Sequence, residues 1–226
     1  MTLRYDPLQV FKTSTTPAGL YARQKWLNEQ QTLRWQNDFD LTAAWLTKGQ
    51  DENGSWRSSA TLTTRQLFGL HLTTRQPTPQ IINALDWLLK RAERQLDPNT
   101  SRTEEITHLK MLDQLPFVVG RRDGFLLGAT LFLSSIFDRQ NHPRIRSLYQ
   151  WLNEDLENKQ LFWKDLACFN NLFRAFVVHP VYATKSAVRT AVRRLEKLQT
   201  TVGDWGPQLP FFQIVNALAH LDIPEA

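Results

Sequence analysis

The segment at 50–56, Gln50-Asp51-Glu52-Asn53-Gly54-Ser55-Trp56, returns near the other end of the chain as Gln199-Thr200-Thr201-Val202-Gly203-Asp204-Trp205. Both copies read Gln, three residues, Gly, one residue, Trp. Upstream the match continues, with Trp45-Leu46 standing before Gln50 at the same offset as Arg194-Leu195 before Gln199. Each copy follows an amphipathic helical pattern and precedes another. Recurrence at a fixed phase is the mark of a repeat architecture. A helical hairpin with one apolar face cannot bury that face alone, so neighbouring hairpins must stack.

No convincing strand pattern is present, and the reading is all-α with about ten helices. The expected spans are 18–33, 40–48 with Asp38 or Asp40 as N-cap, 61–73 and 79–95. A short one follows at 104–115, then 122–137, 142–156, 165–177, 184–198 and 207–221. Trp45-Leu46, Trp87-Leu88, Trp151-Leu152 and Arg194-Leu195 each lie on the more polar helix of a pair. Their spacing fits a repeat of roughly 43 residues with an insert of about 20 at 97–120. Trp26-Leu27 with Gln31 and Trp35 reads as a degenerate early copy. The whole chain, 1–226, is expected to be one helical-repeat domain, with polar helices in an outer layer and apolar ones in an inner layer. Lys185, Arg189 and Arg193 recur every fourth residue, so that face should look outward.

Composition narrows the function classes. Apolar residues make up 42% and charged residues 22% of 226, the balance of an ordinary soluble domain. Trp is abundant at 8, and large rings suit layer-on-layer helix packing. The lone Cys168 excludes an internal disulfide and a multi-cysteine zinc site, and fits a reducing, cytoplasmic setting. The first seven residues carry no signal-peptide core. The longest apolar stretch, 124–137, is shorter than the roughly 20 residues a bilayer span takes. It suits a helix buried on all sides, with peripheral membrane contact as the alternative. A net charge of +5 weakly favours anionic partners. No nucleic-acid motif is present, and nucleic acid is not an expected partner.

The Gln-x-x-x-Gly-x-Trp skeleton after an aromatic-Leu pair resembles the QW repeat of the squalene–hopene cyclase, class II terpene cyclase and protein prenyltransferase superfamily. Two copies match closely, and the two middle units keep only Trp-Leu. The resemblance implies an α/α toroid whose inner helices surround an apolar cavity that receives a polyisoprenoid chain. Four or five hairpins would make a smaller barrel, an open arc, or a ring closed by oligomerisation. The residues themselves suggest structural roles. Asn53-Gly54 suits a positive-φ turn, the glutamine amide can satisfy backbone groups at a helix end, and the indole can cover it.

The chemistry of that superfamily is only partly matched. Asp38-Phe39-Asp40-Leu41-Thr42-Ala43 resembles the Asp-x-Asp-Asp acid motif with its last Asp replaced by Leu. Asp40 is then either a proton donor, which needs a sheltered and protonated carboxyl, or part of a helix cap. Asp165-Leu166-Ala167-Cys168 resembles the prenyltransferase zinc pair with one residue too many, and His179 or His220 would have to complete it. No metal and no cofactor are expected. Polar residues on the inner helices could form a cavity wall, among them Arg65, His71, Arg121, Asn170, Arg174, Gln208 and His220.

Two functions follow. In the first, a small divergent relative binds or cyclises a hydrophobic isoprenoid-like molecule. If catalytic, it is a metal-independent cyclase with Asp40, Asp123 or Asp165 as the acid. Phe68, Phe125, Phe169 and Phe212 would form aromatic walls, with Asn171, Gln213 and Asn216 as polar contacts. Arg65 and Arg122 would meet an anionic head group. In the second, the chain is a non-catalytic repeat module for a protein partner.

Overall fold

Nine α-helices and no strand make up the described residues of the computed structural model, which are 6, 8–96, 115, 117, 124–158, 165–224 and 226. The helices are α1 (Pro17–Leu27), α2 (Leu33–Thr47), α3 (Ala60–Leu72), α4 (Pro79–Leu96), α5 (Gly124–Ile136), α6 (Pro143–Asn158), α7 (Leu166–Val177), α8 (Ser186–Leu198) and α9 (Phe211–Leu218). Side-chain oxygens accept first-turn N–H groups at several starts: Thr16 for α1, Thr32 for α2, Ser59 for α3 and Asp165 for α7.

The expected helices at 18–33 and 40–48 have the wrong boundary. Asn28 adopts a left-handed φ of 57° and ends α1, a short 3₁₀ turn covers Glu29–Gln31, and α2 begins at Leu33. Thr32 is therefore the N-cap of α2, and Asp38 and Asp40 lie inside the helix. Asp38 is drawn instead to Arg23, whose Nη1 sits 2.7 Å from its Oδ2. The same fully buried guanidinium meets Glu29 at 2.8 Å and donates to the Ser14 carbonyl. At the other end, α9 is shorter than 207–221. Pro210 forces Leu209 away from helical backbone, so the helix starts only after it. The short helix expected at 104–115 falls outside the described residues but for Leu115. Of the insert at 97–120, Leu115 and Phe117 are described, and both are buried.

The helices pack in two rows. α1, α3, α5, α7 and α9 pair in succession, while α2, α4, α6 and α8 lie against them. The proposed repeat phase holds at all four second-row helices. Leu46, Leu88, Leu152 and Leu195 are buried, and the residue before each is less so: Trp45 and Trp151 are exposed, while Trp87 and Arg194 are half-buried. Trp26-Leu27 breaks this rule. It stands on α1, which pairs with α3 in the apolar row, so it is not a copy of the outer-helix pattern.

The tightest pairing joins α5 and α7. Gly124 and Gly128, one turn apart, make it possible. A Cβ on Gly128 would stand 2.8 Å from the Asn171 carbonyl oxygen, and one on Gly124 would stand 2.6 Å from Cys168 Sγ. Residues 124–135 of α5 are all buried, which answers the apolar stretch by enclosure within the protein. Burying such side chains contributes roughly 1.5–3 kcal/mol each. The Tyr149 hydroxyl from α6 ties the layers together, lying within 2.9–3.1 Å of Ser135 Oγ and the Leu131 and Ala175 carbonyl oxygens. No helix among the described residues is long and apolar enough to cross a membrane.

Candidate functional site

The recurrent segments fold into the same turn. Gln50 Nε2 donates to the Gly54 carbonyl at 2.8 Å, and Gln199 Nε2 donates to Gly203 at 2.9 Å. Backbone bonds repeat at matched positions, from Asp51 N–H to Ser55 O and from Thr200 N–H to Asp204 O. Gly54 and Gly203 carry φ values of 92° and 88°. The indole of Trp56 donates to Lys48 O at the end of α2, and that of Trp205 to Leu195 O near the end of α8. Even the side-chain bridge is kept with its partners exchanged: Ser55 Oγ donates to Asp51, while Thr200 Oγ1 donates to Asp204. Gln50 adds one bond, to Gln80 O in the first turn of α4. These residues fasten helix ends and present no reactive group.

The proposed acids fall in unlike places. Asp40 is exposed on α2. Asp165 caps α7, its Oδ1 accepting from Ala167 and Cys168 N–H at 3.0 and 3.1 Å. Asp123 and Arg122 lie outside the described residues, as does Arg121. Among the described residues, no group of three His, Cys, Asp or Glu side chains could hold a metal ion. His179 Nδ1 is occupied, accepting backbone N–H groups of Val181 and Tyr182.

The remaining candidates divide. Phe68 on α3 lies 6.3 Å from Phe132 on α5, and Phe125 stands edge-on to Phe117 at 6.0 Å. Phe169 is fully buried against Phe173. Asn171 is buried beside Asn170, whose Nδ2 donates to Gln213 Oε1 on α9 at 2.7 Å. Phe212, by contrast, is 78% exposed, and Asn216 is exposed too, so neither contributes to an interior wall. They sit on the side of α9 turned away from α7.

The apolar row also brings together three of the expected polar residues, Asn170, Arg174 and Gln213. Arg174, on α7, is 9% exposed and lies 5.9 and 6.0 Å from the rings of Phe117 and Phe132. Its Nη1 donates to the Gln213 carbonyl at 3.0 Å, while its Nε and Asn170 Oδ1, one turn away, have no partner. No carboxylate pairs with it among the described residues. Burial pushes the guanidinium down to about 10, which leaves it cationic at neutral pH. The sequence signal was present: Arg174 stands between Leu172-Phe173 and Ala175-Phe176-Val177, a charge inside an apolar run.

Arg65 lies elsewhere. It lines two adjoining grooves at the corner of α1, α2 and α3, both also lined by Trp45. Compared with known protein families, characterised proteins and solved structures, the chain matches none.

Proposed function

We propose that this chain is a small α/α toroid-like binding protein that holds an elongated apolar molecule, of isoprenoid type, by an anionic head group set against Arg174. One observation carries the reading: a buried guanidinium without a carboxylate partner among the described residues, walled by Phe117 and Phe132. An uncompensated buried charge is costly, and a bound anion would offset it. Phe68 and Phe125 extend the aromatic surface around it. Binding is favoured over cyclisation because Asp40 is exposed and Asp165 is engaged as a helix cap, so neither is a sheltered acid. A toroid-like form would bring the two ends of the apolar row toward each other. His220, beyond α9, is close enough to His71 on α3 to disfavour its protonation, after burial and Arg75.

The test is native mass spectrometry of freshly purified protein with lipid extraction, run beside Arg174→Met. A co-purifying polyprenyl anion, lost in R174M while the empty variant melts higher than empty wild type, supports the reading. A strongly destabilised R174M, by about 3–5 kcal/mol, would mean that the arginine serves an internal ion pair. A second reading, docking of a protein partner, draws on the exposed Phe211, Phe212 and Val215 of α9.

A further inference from the structure

We propose a second binding site, separate from Arg174, for a small organic anion: a phosphate or carboxylate carried on a flat apolar body. It is the pair of grooves at the corner of α1, α2 and α3. The first, about 300 Å³, is lined by Lys48, Arg57 and Arg65 together with Trp45, Trp56 and Gln66. Three cationic side chains line it, and no acid does among the described residues. Among those residues none of the three forms an ion pair, so their charge faces the groove uncompensated. The adjoining groove, about 430 Å³, shares Trp45 and Arg65 and adds Pro17, Leu41 and Thr42. Its one acid, Asp38, is already bound to Arg23 at 2.7 Å, so the corner keeps its positive sign. Both volumes fall near the range of small-molecule sites.

The local backbone builds this corner deliberately. Arg57 and Ser58 are consecutive non-glycine residues with left-handed φ values of 54° and 50°. Such a pair costs free energy and persists only where surrounding bonds impose it. Asp51 Oδ2 and Ser55 Oγ supply them, both accepting from Ser58 N–H at 3.2 Å. The turn that fastens the repeat thereby delivers Arg57 to the groove. Directly after it, Ser59 caps α3, which supplies Leu62, Arg65 and Gln66 to the groove. The second copy of the turn has no such feature: Gly206, with a φ of 74°, stands where Arg57 stands in the first. Trp45, 57% exposed, offers its ring between the two grooves. The anion would meet the three cations, and the flat body would lie against that indole and Leu41.

The experiment is calorimetric titration of the full chain with 1-naphthyl phosphate, inorganic phosphate and 1-naphthol, in low and high salt. Saturable binding of naphthyl phosphate is expected, tighter than either fragment and weakened by salt. Arg65→Gln should weaken both phosphates by roughly 10-fold or more, the scale of one charge-assisted hydrogen bond. Trp45→Ala should weaken naphthyl phosphate by roughly 2–10-fold, the worth of one ring contact, and leave inorganic phosphate unchanged. Lys197→Gln, an exposed cation on α8 outside both sites, should leave all of it intact, and R174M assigns any binding it removes to the inner row, so failure here is distinct from failure of that reading. Unchanged circular dichroism shows that the variants fold. No saturable binding up to millimolar ligand overturns the proposal, as does binding that survives R65Q or disappears in R174M. Capture of an acidic peptide with no affinity for naphthyl phosphate would also overturn it, in favour of a protein-docking surface.

Discussion

Replacing Gly128 by alanine probes the closest helix contact in the molecule. The added Cβ would lie 2.8 Å from Asn171 O, 2.9 Å from its carbonyl carbon and 3.1 Å from its Cβ. Two of those atoms are backbone, so no rotamer change relieves the clash, and α7 itself must retreat by about half an ångström. A gap of that size forfeits roughly a quarter of the dispersion well for the atoms that line it. Overpacking of this kind costs about 1–3 kcal/mol. Alanine's higher helix propensity returns about 1 kcal/mol. The net expectation is a loss of up to about 2 kcal/mol. Gly69→Ala is the matched control. It carries the same propensity gain inside α3, but its Cβ meets Leu46 Cδ2 at 2.6 Å, the tip of a flexible side chain. That variant should stay within about 1 kcal/mol of wild type, because Leu46 can turn aside. Thermal melts followed at 222 nm should therefore place G128A several degrees below G69A, at about 2–4 °C per kcal/mol for a chain of this size. Melting of the two at one temperature, or G128A above wild type, would refute the reasoning.

Gln50→Ala removes hydrogen bonds to Gly54 O and Gln80 O, so urea unfolding should show a loss of about 1–2 kcal/mol, against less than about 1 kcal/mol for Gln199→Ala, whose bond is to Gly203 O. Tyr149→Phe leaves Ser135 and the carbonyls of Leu131 and Ala175 without their hydroxyl partner, and should cost about 1–3 kcal/mol in the same assay. Burial holds His71 and His179 near a pKa of about 4, with Arg75 and then His220 adding to the effect at His71. Both are neutral in the fold, whereas the unfolded chain takes up protons below about pH 6.5. Their stabilisation is thus present above that pH and lost as pH falls toward 4, and His71→Phe should flatten the fall in unfolding midpoint between pH 7 and 5. A slope unchanged from wild type would count against the depressed pKa.

The apolar periodicity and the Gln-Gly-Trp recurrence made the all-α class and the second-row phase legible, because Leu46, Leu88, Leu152 and Leu195 repeat the same demand for burial. The start of α2 was not legible for a physical reason. Asp38 and Asp40 have the chemistry of a cap, but Arg23, fifteen residues earlier, claims Asp38 across space, while Thr32 supplies the cap. Local propensity carries no information about such a partner. The candidate site was legible in kind more than in place. Phe68, Phe125, Asn171 and Gln213 do lie in the apolar row, yet Phe212 and Asn216, on the same α9, face outward. Helical periodicity places a residue on a face, and only packing decides which face α7 covers. The apolar helix that carries Arg65 suggests a cavity residue, but the groove that Arg65 lines is walled by residues at the start of α1 and along α2.

The two copies of the turn bear most directly on function. They share little beyond three residues, yet they reproduce the same glutamine bond and the same two backbone bonds, and each indole donates to a carbonyl near the end of the preceding helix, though not at the matched position. In both copies a hydroxyl and a carboxylate face each other across the turn, Asp51 with Ser55 and Thr200 with Asp204, in opposite order. Reaction chemistry would not tolerate that exchange, since an acid and an alcohol are not interchangeable in catalysis. The recurrent residues are therefore selected by what a turn needs. On the proposed reading, binding specificity would come from what differs between units. Arg57 stands in one turn and glycine in the other; Arg174 stands on α7, while the buried polar groups of α5 are small hydroxyls at Thr130, Ser134 and Ser135. Those departures from the repeat, both cationic, are where an anion would distinguish one part of this molecule from the rest.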